Sequence, residues 1–172
     1  MPNHVANYVI ITGKFANIKK FWKEATKSSN KEYNGKFCYD NLYPMPDGID
    51  GMEWYEWAIK NWGNKWGCFD VVSNISLILS GTITLFYNTA WYYSTNFWLK
   101  VTNEHKIKVV NYFHDEGSNF CGKESYSKGL VTSKKLYDNY EKQKKYFVTY
   151  AEICGRENYY DKNNGDDENI AL

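Results

Sequence analysis

His114-Asp115-Glu116 sets a potential base beside two carboxylates, residue types that general acid–base hydrolysis uses. Read locally, the triplet is a polar turn after a strand ending at Phe113, closed by Gly117. A catalytic triad would need distant residues to assemble around it, and no G-x-S-x-G elbow marks a nucleophile. The stretch from Gly117 to Glu124 nearly spells a phosphate loop. Glu124, however, stands where that loop needs Ser or Thr to hold magnesium, and its flanks read as strand rather than helix. His4, His105 and His114 share no metal-ligand spacing, and no cysteine is near enough in sequence to complete a zinc set. Cys38, Cys68, Cys121 and Cys154 contain no C-x-x-C and are expected to be free, mostly buried thiols. These residues define no catalytic set, and no metal or cofactor is expected.

The strongest chemical signal is aromatic. Trp, Tyr and Phe make up 19% of the chain, and five of its seven Trp lie between Trp54 and Trp91. Trp54, Trp57 and Trp62 share one helical face, a spacing that argues for core. Trp66 and Trp91 follow short polar links, where an indole beside a cation such as Lys65 suits base stacking or a protein hot spot. Asn61, Asn64, Lys65, Trp66, Trp91 and Tyr92 are therefore the first candidate binding residues, with His114, Asp115 and Glu116 as the second group. Their spacing also fits a packing knot between helix and sheet.

A chain of 172 residues supplies about one domain and a real core. Lys and Arg number 21 against 20 acids, a formal charge of +1, so no global field draws it to nucleic acid. Residues 156–172 are acidic (Glu157, Asp161, Asp166, Asp167, Glu168) and are expected to form a frayed tail. No apolar run is long enough for a membrane helix, and the opening residues carry no export-signal pattern. The expected location is the cytoplasm.

Tyr8–Thr12 reads as a buried strand. Ile18, Phe21, Trp22 and Ala25 mark a helix after it. Residues 31–50 read as irregular, with Pro44 and Pro46 forcing extended backbone. A second helix opens at Asp50, three residues before Glu53 in an acidic capping box, and ends at Gly63. Cys68–Val72, Ile75–Leu79, Thr82–Tyr87 and Lys106–Phe113 read as strands, Thr95–Glu104 as a short helix, and 118–134 as one or two strands around Gly122 and Gly129. Leu136–Ile153 reads as a closing helix with a thin apolar stripe. This order predicts an α+β sandwich: a mostly antiparallel sheet with helices on one face, then a C-terminal helix and a polar tail. The expected divisions are 1–135 for the main domain, 136–155 for the helix packed on it and 156–172 for the tail.

Several distinctive strings follow one another along the chain. They are Met1-Pro2-Asn3 with Asn7 and Ile11-Thr12-Gly13; Leu42-Tyr43-Pro44-Met45-Pro46; Trp54-Tyr55-Glu56-Trp57; Asn61-Trp62-Gly63-Asn64-Lys65-Trp66; Thr89-Ala90-Trp91; and Asp115-Glu116-Gly117 with Phe120 and Gly122. Together they resemble the YubB-type ferredoxin-like domain family of phages, prophages and plasmids, over roughly residues 1–125. The chain departs from the pattern at His4-Val5, at Cys68 and at Tyr92-Tyr93-Ser94. The resemblance implies a ferredoxin-like fold and carriage on mobile elements, without a defined chemistry.

The leading expectation is a non-enzymatic accessory protein of a mobile element that inhibits a host defence system, with a host protein such as a CRISPR effector as partner. The alternatives are a module binding nucleic acid or nucleotide, cyclic nucleotides included, and a hydrolase or nuclease using His114. Lys14, Lys19, Lys20, Lys23 and Lys27 form a basic strip that would serve the second reading. No membrane partner is expected, and oligomeric state stays open.

Overall fold

A computed structural model describes residues 3–27, 35–117 and 119–137. Among these residues, six strands and three α-helices follow the order β1 (His4–Thr12), α1 (Phe15–Ala25), α2 (Glu53–Asn61), β2 (Phe69–Asn74), β3 (Thr82–Ala90), α3 (Thr95–His105), β4 (Lys108–Asp115), β5 (Cys121–Ser127) and β6 (Leu130–Leu136). The strands form one sheet ordered β2-β3-β1-β4-β5-β6, with every pairing antiparallel. The β1-α1-β2-β3-α3-β4 part is the split arrangement of ferredoxin-like folds. Helix α2 is inserted before β2, and the β5–β6 hairpin widens the sheet beyond β4. The expected α+β architecture is thus the observed one.

The helices cover one face of the sheet. Ile18, Phe21 and Ala25 of α1 meet Val9, Ile11, Ile83, Leu85, Tyr87 and Val109 from the strands. The core is stacked as well as packed: Tyr39 lies 3.8 Å from Phe97, nearly parallel, and Phe37 stacks on Trp98. The opposite face carries a smaller buried cluster of Ala6, Tyr8 and Phe86. Both edge strands are bulged, β2 between Phe69 and Val72 and β6 opposite Ser125 and Tyr126. Bulges and the edge lysines Lys134 and Lys135 discourage pairing with another chain.

Several sequence expectations change. Strand β1 starts at His4, ahead of Tyr8, because its pairing with β3 runs on to Ala90. The Asp50 side chain makes no cap. Met52 is the N-cap, and only the Asp50 backbone carbonyl accepts, from Glu53 N at 3.2 Å. Ile75–Leu79 is no strand. Asn74 Oδ1 accepts Ser76 N at 2.9 Å, turning the chain into a tight helical turn that ends at Gly81. Gly81 sits at φ +78°, and a Cβ there would lie 2.1 Å from Gly13 O, so only glycine fits. Lys106 is the left-handed C-cap of α3, and β4 begins at Lys108. His114 and Asp115 extend β4 instead of forming a turn. Leu136 closes β6, so the expected helix does not begin there; the rest of 136–155 and the tail 156–172 lie outside the described residues.

Buried polar groups stitch this core. Glu124, almost fully enclosed, accepts from Lys134 Nζ (2.7 Å), Tyr126 Oη (2.7 Å), Thr95 Oγ1 (2.9 Å) and Tyr93 Oη (3.1 Å). Burial alone would raise its pKa, but the bonds from Lys134, Tyr126 and Thr95 hold it below the usual carboxylate value. Because the folded pKa is depressed, this group's stabilisation is complete above the unfolded value of about 4.3. It is lost as pH falls through the folded value. Glu124→Gln should therefore cost about 2 kcal/mol at neutral pH. It should also flatten the acid limb of the stability curve, as thermal melts between about pH 3 and 7 would read out.

Candidate binding site

Two connections at the C-terminal end of β3 hold the exposed indoles. The first begins where α2 stops. Trp62 is its C-cap and Gly63 adopts φ +84°, with Gly63 N donating to Ile59 O at 3.1 Å. This is the left-handed helix stop that the sequence predicts. A Cβ on Gly63 would press on Asn96 N and Thr95 N at 3.2 and 3.3 Å, so glycine lets α2 abut the start of α3. In return Asn96 Nδ2 donates to Ile59 O and Lys60 O, and Lys100 Nζ donates to Asn61 Oδ1 at 2.6 Å.

The loop after Gly63 is pinned from beneath. Asn64 is fully buried. Its Oδ1 accepts Gly67 N at 2.7 Å and its Nδ2 donates to Ser94 Oγ at 2.9 Å. Ser94 Oγ is hydrogen-bonded to Tyr39 Oη, which bonds Tyr87 Oη at 2.9 Å; Trp98 Nε1 donates to the same Tyr87 oxygen at 3.0 Å. One chain of buried hydrogen bonds thus runs from the centre of the core to the loop that presents Lys65 and Trp66. Burial raises the pKa of Tyr39 and of Tyr87, so both phenols keep their protons for it.

The second connection is a tight turn at Ala90-Trp91-Tyr92. Tyr92 N donates to Ala90 O at 3.0 Å, and Trp91 sits at φ +71°. A closed three-residue turn with positive φ is the rarer, strained form of the γ-turn. For a residue as bulky as Trp it costs of order 1–3 kcal/mol. Trp91 N donates to Asn3 O at 2.9 Å, and Thr89 Oγ1 donates to Tyr92 O at 2.8 Å. Thr89 in turn accepts from buried Asn7 Nδ2 at 2.9 Å, and Asn7 Oδ1 accepts from Asn111 Nδ2 at 3.0 Å.

The result is an aromatic patch around one cation. Lys65 Nζ lies 4.1 Å from the centre of the Trp91 ring, 5.0 Å from Trp66 and 6.0 Å from Trp54. Tyr55 meets Trp91 edge-on at 5.9 Å. Trp66 is 47% exposed and Trp91 37%. Each cation–π contact at such an exposed place is worth about 0.5–1 kcal/mol. On the other side of the turn, Tyr92 stacks on Phe120 and lines a groove of about 380 Å³ with Ile59, Tyr93, Thr95 and Leu136.

Of the sequence candidates, the structure brings together Lys65, Trp66 and Trp91, and sets Tyr92 at the adjoining groove. Asn64 is behind the patch, as a strut. Asn61 serves Lys100 and Trp57 O. His114 and Asp115, neighbours in a strand, point to opposite faces of the sheet, so they form no catalytic pair. Asp115 Oδ2 accepts Asn119 N and Nδ2, ordering the turn, and Glu116 Oε1 accepts His4 N at 2.7 Å. Sequence reasoning assigned Trp54 to the core stripe and named Tyr55, Tyr93 and Phe120 only in the family resemblance, not as binding residues; the Trp54-Tyr55 pair in the first helical turn is the available signal. Among the described residues no group of three or more His, Cys, Asp or Glu could hold a metal ion. Burial pushes the Cys68 and Cys38 thiols up and Cys121 to about 12, so none of these three is an activated thiolate.

The struts and the patch are separable by mutation. Asn64→Ala strands a buried N–H and should cost about 2–3 kcal/mol, lowering the melting temperature by about 4–12 °C. Trp91→Gly relieves the positive φ while losing the ring contacts, so the melting temperature should stay within about 4 °C of the parent. Calorimetry on the two variants checks both.

Comparison with known proteins places the chain. A search of curated proteins found no match. A crystal structure of the protein Api92 from Yersinia pseudotuberculosis superposes with a TM-score of 0.58 at 8% identity, covering 81% of this chain and 99% of that one, a likeness of fold. A family model described as the ferredoxin-like domain in Api92-like protein matches residues 62–153, more than half of the chain. The match starts at Trp62 and runs beyond residue 125, where the sequence resemblance stopped. The chain belongs to the family of ferredoxin-like domains in Api92-like proteins.

Proposed function

We propose that the chain is a non-enzymatic binding protein that grips a partner protein through Lys65, Trp66 and Trp91. Carried by a phage or other mobile element, it would inhibit a host defence effector such as a CRISPR nuclease. The observation that carries the reading is the strained turn at Trp91. A half-exposed indole is held at φ +71°, a conformation glycine would adopt at lower cost, and it faces a lysine that two further indoles surround. Tryptophans and a tyrosine held rigid at the surface are residue types of protein hot spots. Preorganisation lowers the ordering cost of binding.

A second reading, a nucleotide or nucleic-acid module, draws on the same geometry. A base could stack on Trp66 or Trp91 with its phosphate near Lys65.

The two readings separate in one experiment. The tagged full-length chain and its Trp66→Ala/Trp91→Ala variant are used for capture from host lysate, with retained protein and nucleic acid both identified. The expected result is a defined protein whose capture falls about tenfold or more in the variant and changes little between about 0.1 and 0.5 M salt. Retention of nucleic acid with steep loss in salt would favour the second reading. Equal capture of the same protein by the variant, or turnover of a substrate by the purified chain, would refute the proposal.

A further inference from the structure

The opposite end of the sheet has a different chemistry. Thr12 of β1 pairs with Thr82 of β3 and Lys108 of β4, and Lys108 pairs with Ser127 of β5. The β1–α1, β2–β3, α3–β4 and β5–β6 connections therefore share this end. They are tied together by Gly13 N to Gly81 O (3.0 Å), Asn17 Nδ2 to Lys106 O (3.2 Å) and Gly129 N to Thr102 Oγ1 (3.2 Å). These connections and the start of α1 carry Lys14, Lys19, Lys20, Lys106, Lys108 and Lys128, all exposed, and no Asp or Glu. Two carboxylates of the adjoining helices are turned to other partners: Glu24 to His105 at 3.8 Å and Glu104 to Tyr43 Oη at 2.8 Å.

Among the lysines stand bare aliphatic side chains. In the turn between β2 and β3, Ile78 packs against the core, whereas Leu77 is 59% and Leu79 80% exposed. Leu130, on the β5–β6 hairpin, is 66% exposed, and Phe15 is exposed beneath Lys19. These side chains stand out singly from three separate connections. Exposed aliphatic side chains set among clustered lysines are the composition of a contact with an anionic membrane surface.

We propose that this end docks on an anionic lipid surface, with Leu77 and Leu79 entering the head-group region and the lysines facing the anionic heads. Nucleic acid would satisfy the lysines but offers no hydrocarbon for two leucines. A bilayer interface offers both, and it accepts dispersed, protruding side chains without a matching cavity. No described helix is long and apolar enough to cross a membrane, and docking of this kind needs none. The indole patch lies at the far end of the strands and stays open to a partner.

The test is co-sedimentation of the full chain with vesicles of phosphatidylcholine alone or with about 30% phosphatidylglycerol. Leu77→Ser/Leu79→Ser and Lys14→Glu/Lys108→Glu change only exposed side chains, and their melting temperatures verify folding. The parent should pellet with anionic vesicles and not with neutral ones. It should be released as salt rises from about 0.1 to 0.5 M, and each variant should bind at least about fivefold more weakly. Absence of pelleting with anionic vesicles, or equal pelleting by the leucine variant, overturns the proposal. So does salt-sensitive binding to an RNA or DNA oligonucleotide that the leucine changes leave intact.

Discussion

The exposed face of this protein depends on a constraint inside it: a buried hydroxyl, amide or indole N–H must find a partner or carry a penalty of about 1–3 kcal/mol. The core is built of aromatics whose rings pack and whose polar tips cannot reach water. Trp98, Tyr87 and Tyr39 answer this by bonding one another, then Ser94, then Asn64, and the chain ends on the backbone of Gly67. Satisfying the core thereby fixes a surface loop. Asn111, Asn7 and Thr89 do the same for the Trp91 turn, and Glu124 for Thr95 at the start of α3. The segment from Thr89 to Thr95 is anchored at three places; Trp91 lies within it, and the loop that carries Trp66 is tied to it through the Asn64–Ser94 bond. Such networks are worth more together than as separate bonds, since each member lost strands the next.

The same constraint accounts for how the titratable groups are used. The buried phenols and thiols have pKa values raised by burial, which keeps them as neutral donors or as packing. Glu124 is held ionised, yet its oxygens are occupied by four donors. Lys65 alone in the patch offers charge, and it is held by indole faces rather than by a carboxylate. The two ends of the sheet therefore differ in kind: aromatic and rigid at one, basic and aliphatic at the other.

Much of the fold was legible in the sequence because periodicity reports burial directly. The stripe of Ile18, Phe21 and Ala25, the alternation of Ile83, Leu85 and Tyr87, and the glycine stop at residue 63 all appear where the pattern puts them. What was not legible depends on contacts across the chain. Ile75–Leu79 has strand composition, but an Asn74 side-chain bond and the Gly81–Gly13 contact turn it away from the sheet. His114 and Asp115 looked like a turn because polar residues usually leave a strand; pairing with Ala6 and Val5 keeps them in it. The candidate site was half legible. Indole beside lysine named Lys65, Trp66 and Trp91, yet nothing in one sequence could show that Asn64 faces inward to Ser94, thirty positions away, or that Trp91 takes a positive φ.

The central claim is that both turns are held in one arrangement before any partner arrives. Residue-resolved amide hydrogen exchange on the free protein tests it most directly, at Gly67 N–H and Tyr92 N–H. If the buried chains pin these turns, both amides should exchange as slowly as those of β1 and β3, with opening energies close to global unfolding. Exchange at the rate of an open surface loop, with the central strands still protected, would contradict the account.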